Sequence, residues 1–324
     1  MKAVVNRDYG SPDVLHCEDV EKPSPGDDEV LVRIRAAAAN PMDALFMSGT
    51  YLMRPMTGLR RPKMTRPGVD LAGEVEAVGK NVTRFRLGDA VFGSARGTFA
   101  EYVCAADHRL ALKPANVTFE QAAAVPVAGL TALQGLRDKG RIQPGQKVVI
   151  NGAAGGVGTF AVQIAKSFGA EVTGVCSTRA MDLVRSLGAD HVIDYTQDDF
   201  TRSAERYDLI FDSAGSHPLS AHRRVMMPKG TLIPFGMRPS GRWIGPLPQL
   251  LKLFIGSRFV SQHVVFFIAK VEMADLIALK ELIESNQVTP VVDSCYTLSE
   301  AAAAIRHLKE GHPRGKVVIS VPVS

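Results

Sequence analysis

The sequence predicts an α/β fold, a doubly wound parallel sheet joined to an antiparallel β domain. Three observations carry that prediction. The chain has 324 residues, 46% hydrophobic and 22% charged, a composition that excludes disordered, collagen-like and coiled-coil architectures and a length that suits two domains. Short strands punctuated by turns fill roughly the first hundred residues. From Gln143 onward strands alternate with helices, the pattern of a parallel sheet with right-handed crossovers.

In order, Lys2 to Arg7, Val30 to Ala37, Ala72 to Val78, Asp89 to Phe92 and Phe99 to Cys104 read as strands, separated by turn-rich segments such as KPSPGDD and GKNVTRFRLGD. Lys147 to Asn151 is a short apolar strand. GAAGGVG breaks it, and Val157, Phe160, Ala161, Ile164 and Phe168 follow at helical spacing. Gly169 closes that helix. Glu171 to Cys176 is the next strand, and Ala180 to Leu187 a helix stopped by Gly188. His191 to Tyr195, Tyr207 to Asp212 and Gly230 to Gly236 continue the sheet. Glu272 to Ser285 reads as a helix, Val288 to Cys295 as a strand, Ser299 to Glu310 as an alanine-rich helix and Gly315 to Val321 as a last strand.

The net charge is +5, with Arg54, Arg60, Arg61, Lys63 and Arg66 concentrated in one acid-free stretch. That stretch reads as a solvated loop rather than an anion-steering rim, and its lack of stacking aromatics disfavours nucleic acid. The four cysteines, at 17, 104, 176 and 295, are too far apart for a disulfide framework or a metal knuckle. The amino terminus has no signal-peptide pattern, and apolar runs such as Val264 to Ala269 are far short of a bilayer span of about 20 residues. No membrane association and a cytoplasmic location are expected.

Ala153-Ala154-Gly155-Gly156-Val157-Gly158 sits at a strand-to-helix junction. Glycines there permit a tight turn and let backbone N–H groups at the helix start meet a pyrophosphate. Alanine stands at the first glycine of the GxGxxG pattern, so the flanking strand and helix are what make the hexad a nucleotide site rather than a packed turn. A carboxylate about 20 residues on would hold the ribose of NAD. The chain instead has Cys176-Ser177-Thr178-Arg179, with no acid before Asp182. Hydroxyls and a guanidinium suit a 2′-phosphate, so NADPH is the expected cofactor. No GxSxG or HExxH occurs, and no tyrosine has lysine four residues later. The H-x4-H pairs His217/His222 and His307/His312 lack cysteine partners and read as surface histidines.

Across essentially its whole length the chain resembles the medium-chain dehydrogenase/reductase superfamily, and within it the zinc-free quinone-oxidoreductase-like branch. The resemblance rests on MKAVV at the start, AAAANPMD (36–43), RPGVDLAGEVEAVG (66–79), GDAVFG (88–93), VPVAGLTAL (125–133), GAAGGVGTFAVQIAK (152–166), LGADHVIDY (187–195) and HPRGKVVI (312–319). It implies a GroES-like β domain over 1–120, rejoined by 288–324, and a Rossmann domain over 121–287. Zinc-dependent members carry cysteine in the segment matching Asn40-Pro41-Met42-Asp43 and Gly-His-Glu where this chain has Gly68-Val69-Asp70. No metal site is therefore expected. The resemblance also places Ala154, Gly155, Gly156, Val157 and Gly158 on the pyrophosphate and Ser177, Arg179 and Tyr195 around the 2′-phosphate. Thr131 and Asn40 would lie near the nicotinamide half, Ser213, Val265 and Phe267 would line the cleft, and His312, Pro313 and Arg314 would touch the cofactor. Val265 and Phe267 read equally well as core.

The function expected is zinc-independent hydride transfer from NADPH to a conjugated small molecule, a quinone or an α,β-unsaturated carbonyl. Without metal polarisation, conjugation must spread the developing charge. Tyr51 is the candidate for substrate polarisation or proton delivery, with Asn40 and Asp43 as orienting groups; Tyr51 reads equally as a pocket wall. A non-catalytic NADPH-binding sensor, or a nucleic-acid binder using the basic surface, stays open on sequence alone, as does a homodimer.

Overall fold

The computed structural model describes residues 1–49, 54–236 and 261–322. Its strands in chain order are β1 (Lys2–Asn6), β2 (Leu15–Asp19), β3 (Glu29–Ala38), β4 (Asp70–Val78), β5 (Ala90–Ser94), β6 (Tyr102–Ala106), β7 (Leu110–Leu112), β8 (Lys147–Asn151), β9 (Glu171–Cys176), β10 (His191–Asp194), β11 (Tyr207–Asp212), β12 (Met226–Pro234), β13 (His263–Val264), β14 (Val292–Thr297) and β15 (Lys316–Ser320). They fall into two compact units, the first comprising Met1–Leu130, Lys270–Asn286 and Pro290–Ser324, the second Thr131–Ala269 and Gln287–Thr289.

In the first unit the main sheet runs β14-β15-β3-β4-β5-β7, with β6 paired to β3 and β1-β2 as a separate ribbon. Every pairing is antiparallel except β14 with β15. The returning β15 joins β3, with Val318 opposite Ala38, so the last strand and the first third of the chain share one sheet. Its two buried clusters centre on Phe99, Ala301, Ile305 and Val317, and on Ile34, Leu71, Val91 and Leu110.

The second unit is a six-stranded sheet ordered β10-β9-β8-β11-β12-β13, parallel throughout. With β8 as the first strand the spatial order is 3-2-1-4-5-6, the doubly wound arrangement whose direction of winding reverses between β8 and β11. Val149, Val175, Ile210 and Leu232 pack with Phe200 and Tyr207 into its core. Burying each of these side chains contributes roughly 1.5–3 kcal/mol.

The division falls ten residues beyond the 1–120 boundary expected from sequence, and the first unit takes in the helix Met273–Glu284. Local contacts explain both. Gly129 lies so close to Leu279 that an added Cβ would come within 3.0 Å of its side chain, Asn116 donates to Ile283 O at 2.8 Å, and the Ala115 N–H reaches Glu284 at 3.0 Å. The strand expected over Val288–Cys295 instead begins at Val292. Gln163 takes the Thr289 N–H at 2.8 Å, and Pro290 has none to give a ladder. The segment after Ala124, unassigned from sequence, forms the helix Pro126–Leu133, continued by a π-helical turn at Gln134–Lys139.

Candidate active site

In the second unit, five of the expected cofactor residues span the junction after β8: Ala154 and Gly155 in the turn, and Gly156, Val157 and Gly158 as the first residues of the helix Gly156–Ser167. The positive φ that the turn needs belongs to Gly152 (84°), one residue before Ala153. Alanine is therefore tolerated at the first position of the pattern. It is fully buried, in contact with Gly174, while the N–H groups of Gly152 and Ala153 both bond Val175 O. Gly158 is required sterically, since an added Cβ would stand 2.1 Å from Gly152 O. The first helical bond runs from Thr159 N to Gly155 O at 3.0 Å, which leaves the N–H groups of Gly156, Val157 and Gly158 at the open helix start. Ala154 to Val157 are half-buried, so ligand can reach them.

Around that turn the carboxyl ends of neighbouring strands bring further expected residues together. Ser177 is half-buried and Arg179 exposed, in a 3₁₀ turn directly after β9. Tyr195 follows β10 and is 57% exposed. Ser213 follows β11 and donates to Asn151 O at 2.7 Å, with its Oγ 2.1 Å from where a Gly152 Cβ would stand, so the two loops at the switch point are fitted to each other. Asp212 accepts from Asn151 Nδ2 at 2.8 Å and from the Ala214 and Gly215 N–H groups. The buried His222 lies 3.3 Å away. Burial pushes the Asp212 carboxyl up, but the nearby His222 ring, with the Gly215 N–H and the Asn151 amide, holds it below the usual range. Val265 and Phe267 are half-buried rather than core; Phe267 lies against Gly135. Thr131, also half-buried, opens the second unit.

Sequence position puts no acid at the end of β9, but the sheet register does: Asp194 of β10 is paired with Cys176. Asn151, Asp212 and Asp194 were not singled out from sequence. The signal for all three is a polar residue closing an apolar strand at the sheet's carboxyl edge.

The first unit holds a buried polar quartet. Asn40 and Asp43 begin the helix Pro41–Ser48, with the Asn40 N–H bonded to Asp43 Oδ2 at 2.8 Å and the Gly68 N–H to Asp43 Oδ1 at 3.2 Å. Asn40 Nδ2 donates to Asp70 at 2.9 Å and to Ala38 O at 3.2 Å, and Asn40 Oδ1 accepts from Lys316 Nζ at 2.7 Å. Lys316 also pairs with Asp70 at 3.2 Å, and Asp70 Oδ1 takes the Val127 N–H at 3.0 Å. Both donors of the Asn40 amide and both oxygens of Asp43 are thus committed within the unit, so these side chains position backbone and one another. Burial raises the Asp43 carboxyl to about 7, with the charge of Asp70 adding to the rise. Burial raises Asp70 as well, opposed by the Lys316 ammonium. Lys316, in the GKVVI strand, is the quartet member that sequence reasoning missed; a lysine opening an inward-facing apolar strand was its only mark.

His312 has a left-handed φ of 49° and accepts no buried role, being exposed like Arg314, whose N–H donates to Asp293 at 2.7 Å. Pro313 between them is half-buried. Tyr51 lies outside the described residues. Among the described residues no three His, Cys, Asp or Glu side chains converge as a metal site would require.

Residues 26–115 match the alcohol dehydrogenase GroES-like domain, and residues 187–319 a family described as zinc-binding dehydrogenase. The 2-methylene-furan-3-one reductase of Solanum lycopersicum is 35% identical, over 98% of this chain and 79% of its own. This chain belongs to the medium-chain dehydrogenase/reductase superfamily, in its quinone-oxidoreductase-like branch. A second relative in that superfamily, the chloroplastic NADPH-dependent alkenal/one oxidoreductase of Arabidopsis thaliana, is 34% identical over 98% of this chain and 79% of its own. Among solved structures, the quinone oxidoreductase of Coxiella burnetii superposes with a TM-score of 0.86 at 28% identity, covering 99% of both chains. The Escherichia coli quinone oxidoreductase complexed with NADPH gives 0.84 at 26% identity, covering 99% of this chain and 100% of its own.

Proposed function

We propose that this protein is an NADPH-dependent oxidoreductase that delivers hydride to a quinone or an α,β-unsaturated ketone or aldehyde without a catalytic zinc. The observation that carries the reading is the Gly152–Gly158 turn at the sheet's switch point, wound so tightly that a Cβ on Gly158 would stand 2.1 Å from Gly152 O, beside a strand end bearing Ser177 and Arg179. Relatives named for NADPH-dependent alkenal/one reduction and for quinone reduction support it.

When bound, NADPH supplies the hydride. Ala154 to Gly158 would hold the pyrophosphate against the helix start, where N–H groups and the helix dipole favour negative charge. Ser177, Arg179 and Tyr195 would recognise the 2′-phosphate, the guanidinium through charge-assisted hydrogen bonds. Thr131 would lie near the nicotinamide half, and Ser213, Val265 and Phe267 would line the cofactor cleft. In the first unit Asn40 and Asp43 act as orienting groups by anchoring the start of the helix Pro41–Ser48. Tyr51 is the proposed proton donor, and His312 to Arg314 are further proposed cofactor contacts.

Zinc independence rests on the donors themselves. The segments where zinc-dependent relatives carry their ligands hold Asn40 and Asp70 here, and an ammonium, Lys316 Nζ, already stands between them at 2.7 and 3.2 Å. A divalent cation would have to displace that charge and break the Asn40 bonds.

The test is stopped-flow oxidation of NADPH with a panel of quinones, small enones and saturated ketones. Measurable turnover with a conjugated acceptor and little with saturated ketones is expected, because an isolated carbonyl needs stronger polarisation. A saturated ketone reduced faster than every conjugated acceptor would contradict the mechanism. NADPH binding without turnover of any acceptor would favour a non-catalytic sensor.

A further inference from the structure

Asp194 closes β10 and is 8% exposed. Its carboxylate takes the hydroxyl proton of Thr178, the hydroxyl proton of Thr196 at 2.8 Å and the Thr196 N–H at 2.9 Å. The two threonine oxygens stand 3.1 Å apart. Thr178 lies between Ser177 and Arg179, in the 3₁₀ turn proposed to face the 2′-phosphate. Its N-cap, Ser177, makes no side-chain capping bond; two backbone bonds, Ala180 N to Ser177 O at 2.9 Å and Met181 N to Thr178 O, close it, and the Asp194 bond to Thr178 ties it to the neighbouring strand. The adjoining Tyr195 N–H bonds Cys176 O at 3.0 Å, so Asp194 and Tyr195 together tie the end of β10 to the end of β9.

An ionised acid here has two opposing effects on a phosphate bound at Ser177 and Arg179. Its charge repels the ligand, while its hydrogen bonds hold the turn in a shape that can receive it. The carboxyl is held below its usual range, by the Thr178 hydroxyl above all, and so is charged at neutral pH. Its lone pairs, however, are directed at donors from Thr178 and Thr196, which disperse that charge before it reaches a ligand. Ordering of an exposed turn is a cost that a ligand otherwise meets on binding. The Thr178 hydroxyl proton is also spent on Asp194, which leaves Ser177 and Arg179 as the donors of the turn.

We infer that Asp194 is a positioning residue for nucleotide choice: through Thr178 it fixes the turn that offers Ser177 and Arg179 to the 2′-phosphate of NADPH. The inference rests on the reading that this turn receives NADPH. A turn held for the 2′-phosphate matters to NADPH and scarcely to NADH, which a merely structural role would not distinguish.

The experiment measures dissociation constants for NADPH and NADH, by quenching of protein fluorescence or calorimetry, for wild type, Asp194→Asn, Thr178→Val, Arg179→Ala and the Asp194→Asn/Arg179→Ala double variant. Asp194→Asn and Thr178→Val should each weaken NADPH about tenfold and leave NADH within about twofold, the scale of one charge-assisted tie. In the Arg179→Ala background Asp194→Asn should add little, because coupled residues are non-additive. Thr178→Val leaves the acid in place and tests the same tie should the Asp194 variant fold poorly. Equal weakening of both nucleotides, tighter NADPH binding by Asp194→Asn, or full additivity with Arg179→Ala would each overturn the inference. If Arg179→Ala is selective for NADPH while both other single variants bind as wild type does, only this inference fails. If wild type shows no preference that Arg179 governs, the cofactor reading fails first.

Discussion

The buried quartet of the first unit and the Asp194 cluster of the second both rest on carboxylate oxygens that accept from protein donors, and are placed in different surroundings. Each centres on carboxylates saturated with donors. Around Asp70 and Lys316, 0% and 4% exposed, the bonds are made in the protein interior, so they act first on folding. Around Asp194 the acid is covered while Thr178 and Arg179 are exposed, so its bonds shape a surface on which a ligand can draw. Donor-saturated carboxylates thus stand in the interior of one unit and under an exposed turn of the other, and on the proposed reading burial decides whether such bonds serve stability or recognition.

The largest effect that could break this comparison is on stability. Lys316→Met leaves Asp70 and Asn40 Oδ1 without their cation and should cost about 3–5 kcal/mol, the range for stripping one partner from a buried ion pair. Urea unfolding followed by circular dichroism would measure it, and a midpoint equal to wild type would show that the quartet does not hold the first unit together. Next in size comes recognition. Arg179→Ala should weaken NADPH by roughly 1.5–3 kcal/mol, leave NADH nearly unchanged and leave the unfolding midpoint where it was. Equal loss for both nucleotides would remove the 2′-phosphate assignment.

The pH dependence of stability sharpens the contrast at a smaller scale. Asp43 is raised by burial to about 7 in the folded protein, against about 4 in an unfolded chain. Between those values the folded state keeps a proton that the unfolded state has lost, so stability is fully present below about pH 4, declines as pH rises toward 7 and levels off above it. The slope is at most about 1.4 kcal/mol per pH unit for one proton. Unfolding midpoints at pH 5, 6, 7 and 8 should fall less steeply in Asp43→Asn; parallel curves would mean that another group carries the dependence. The smallest expected effect is none. Exhaustive dialysis against a chelator should change neither the unfolding midpoint nor NADPH oxidation, and stoichiometric zinc in the purified protein, with activity lost on its removal, would overturn the metal-free reading.

Much of the fold was legible before any coordinates. Alternation of apolar runs with helical periods marks β8 to β12, because strand and helix periodicity are local properties of the chain. The helix Met273–Glu284 lies one residue inside each expected end. The nucleotide turn was legible for the same reason, since its steric demands fall within the seven residues Gly152 to Gly158. Even so, the positive φ fell on Gly152, so that what looked like a departure at Ala153 is a buried, unstrained residue.

Contacts that cross the sheet could not be read this way. Asn40 and Lys316 are 276 positions apart and meet because β15 returns beside β3; Thr178 and Asp194 are 16 apart and meet because β10 lies in register with β9. Neither pairing leaves a periodic trace, since a side chain's partner across a sheet depends on strand order and register and not on its neighbours in sequence. The sequence by itself determined the family, the two kinds of domain and the glycine turn, all encoded over short stretches. Only the tertiary structure decided that Asn40 and Asp43 are committed to buried bonds and that an acid stands beside the expected 2′-phosphate turn, because both follow from groups that folding alone brings together.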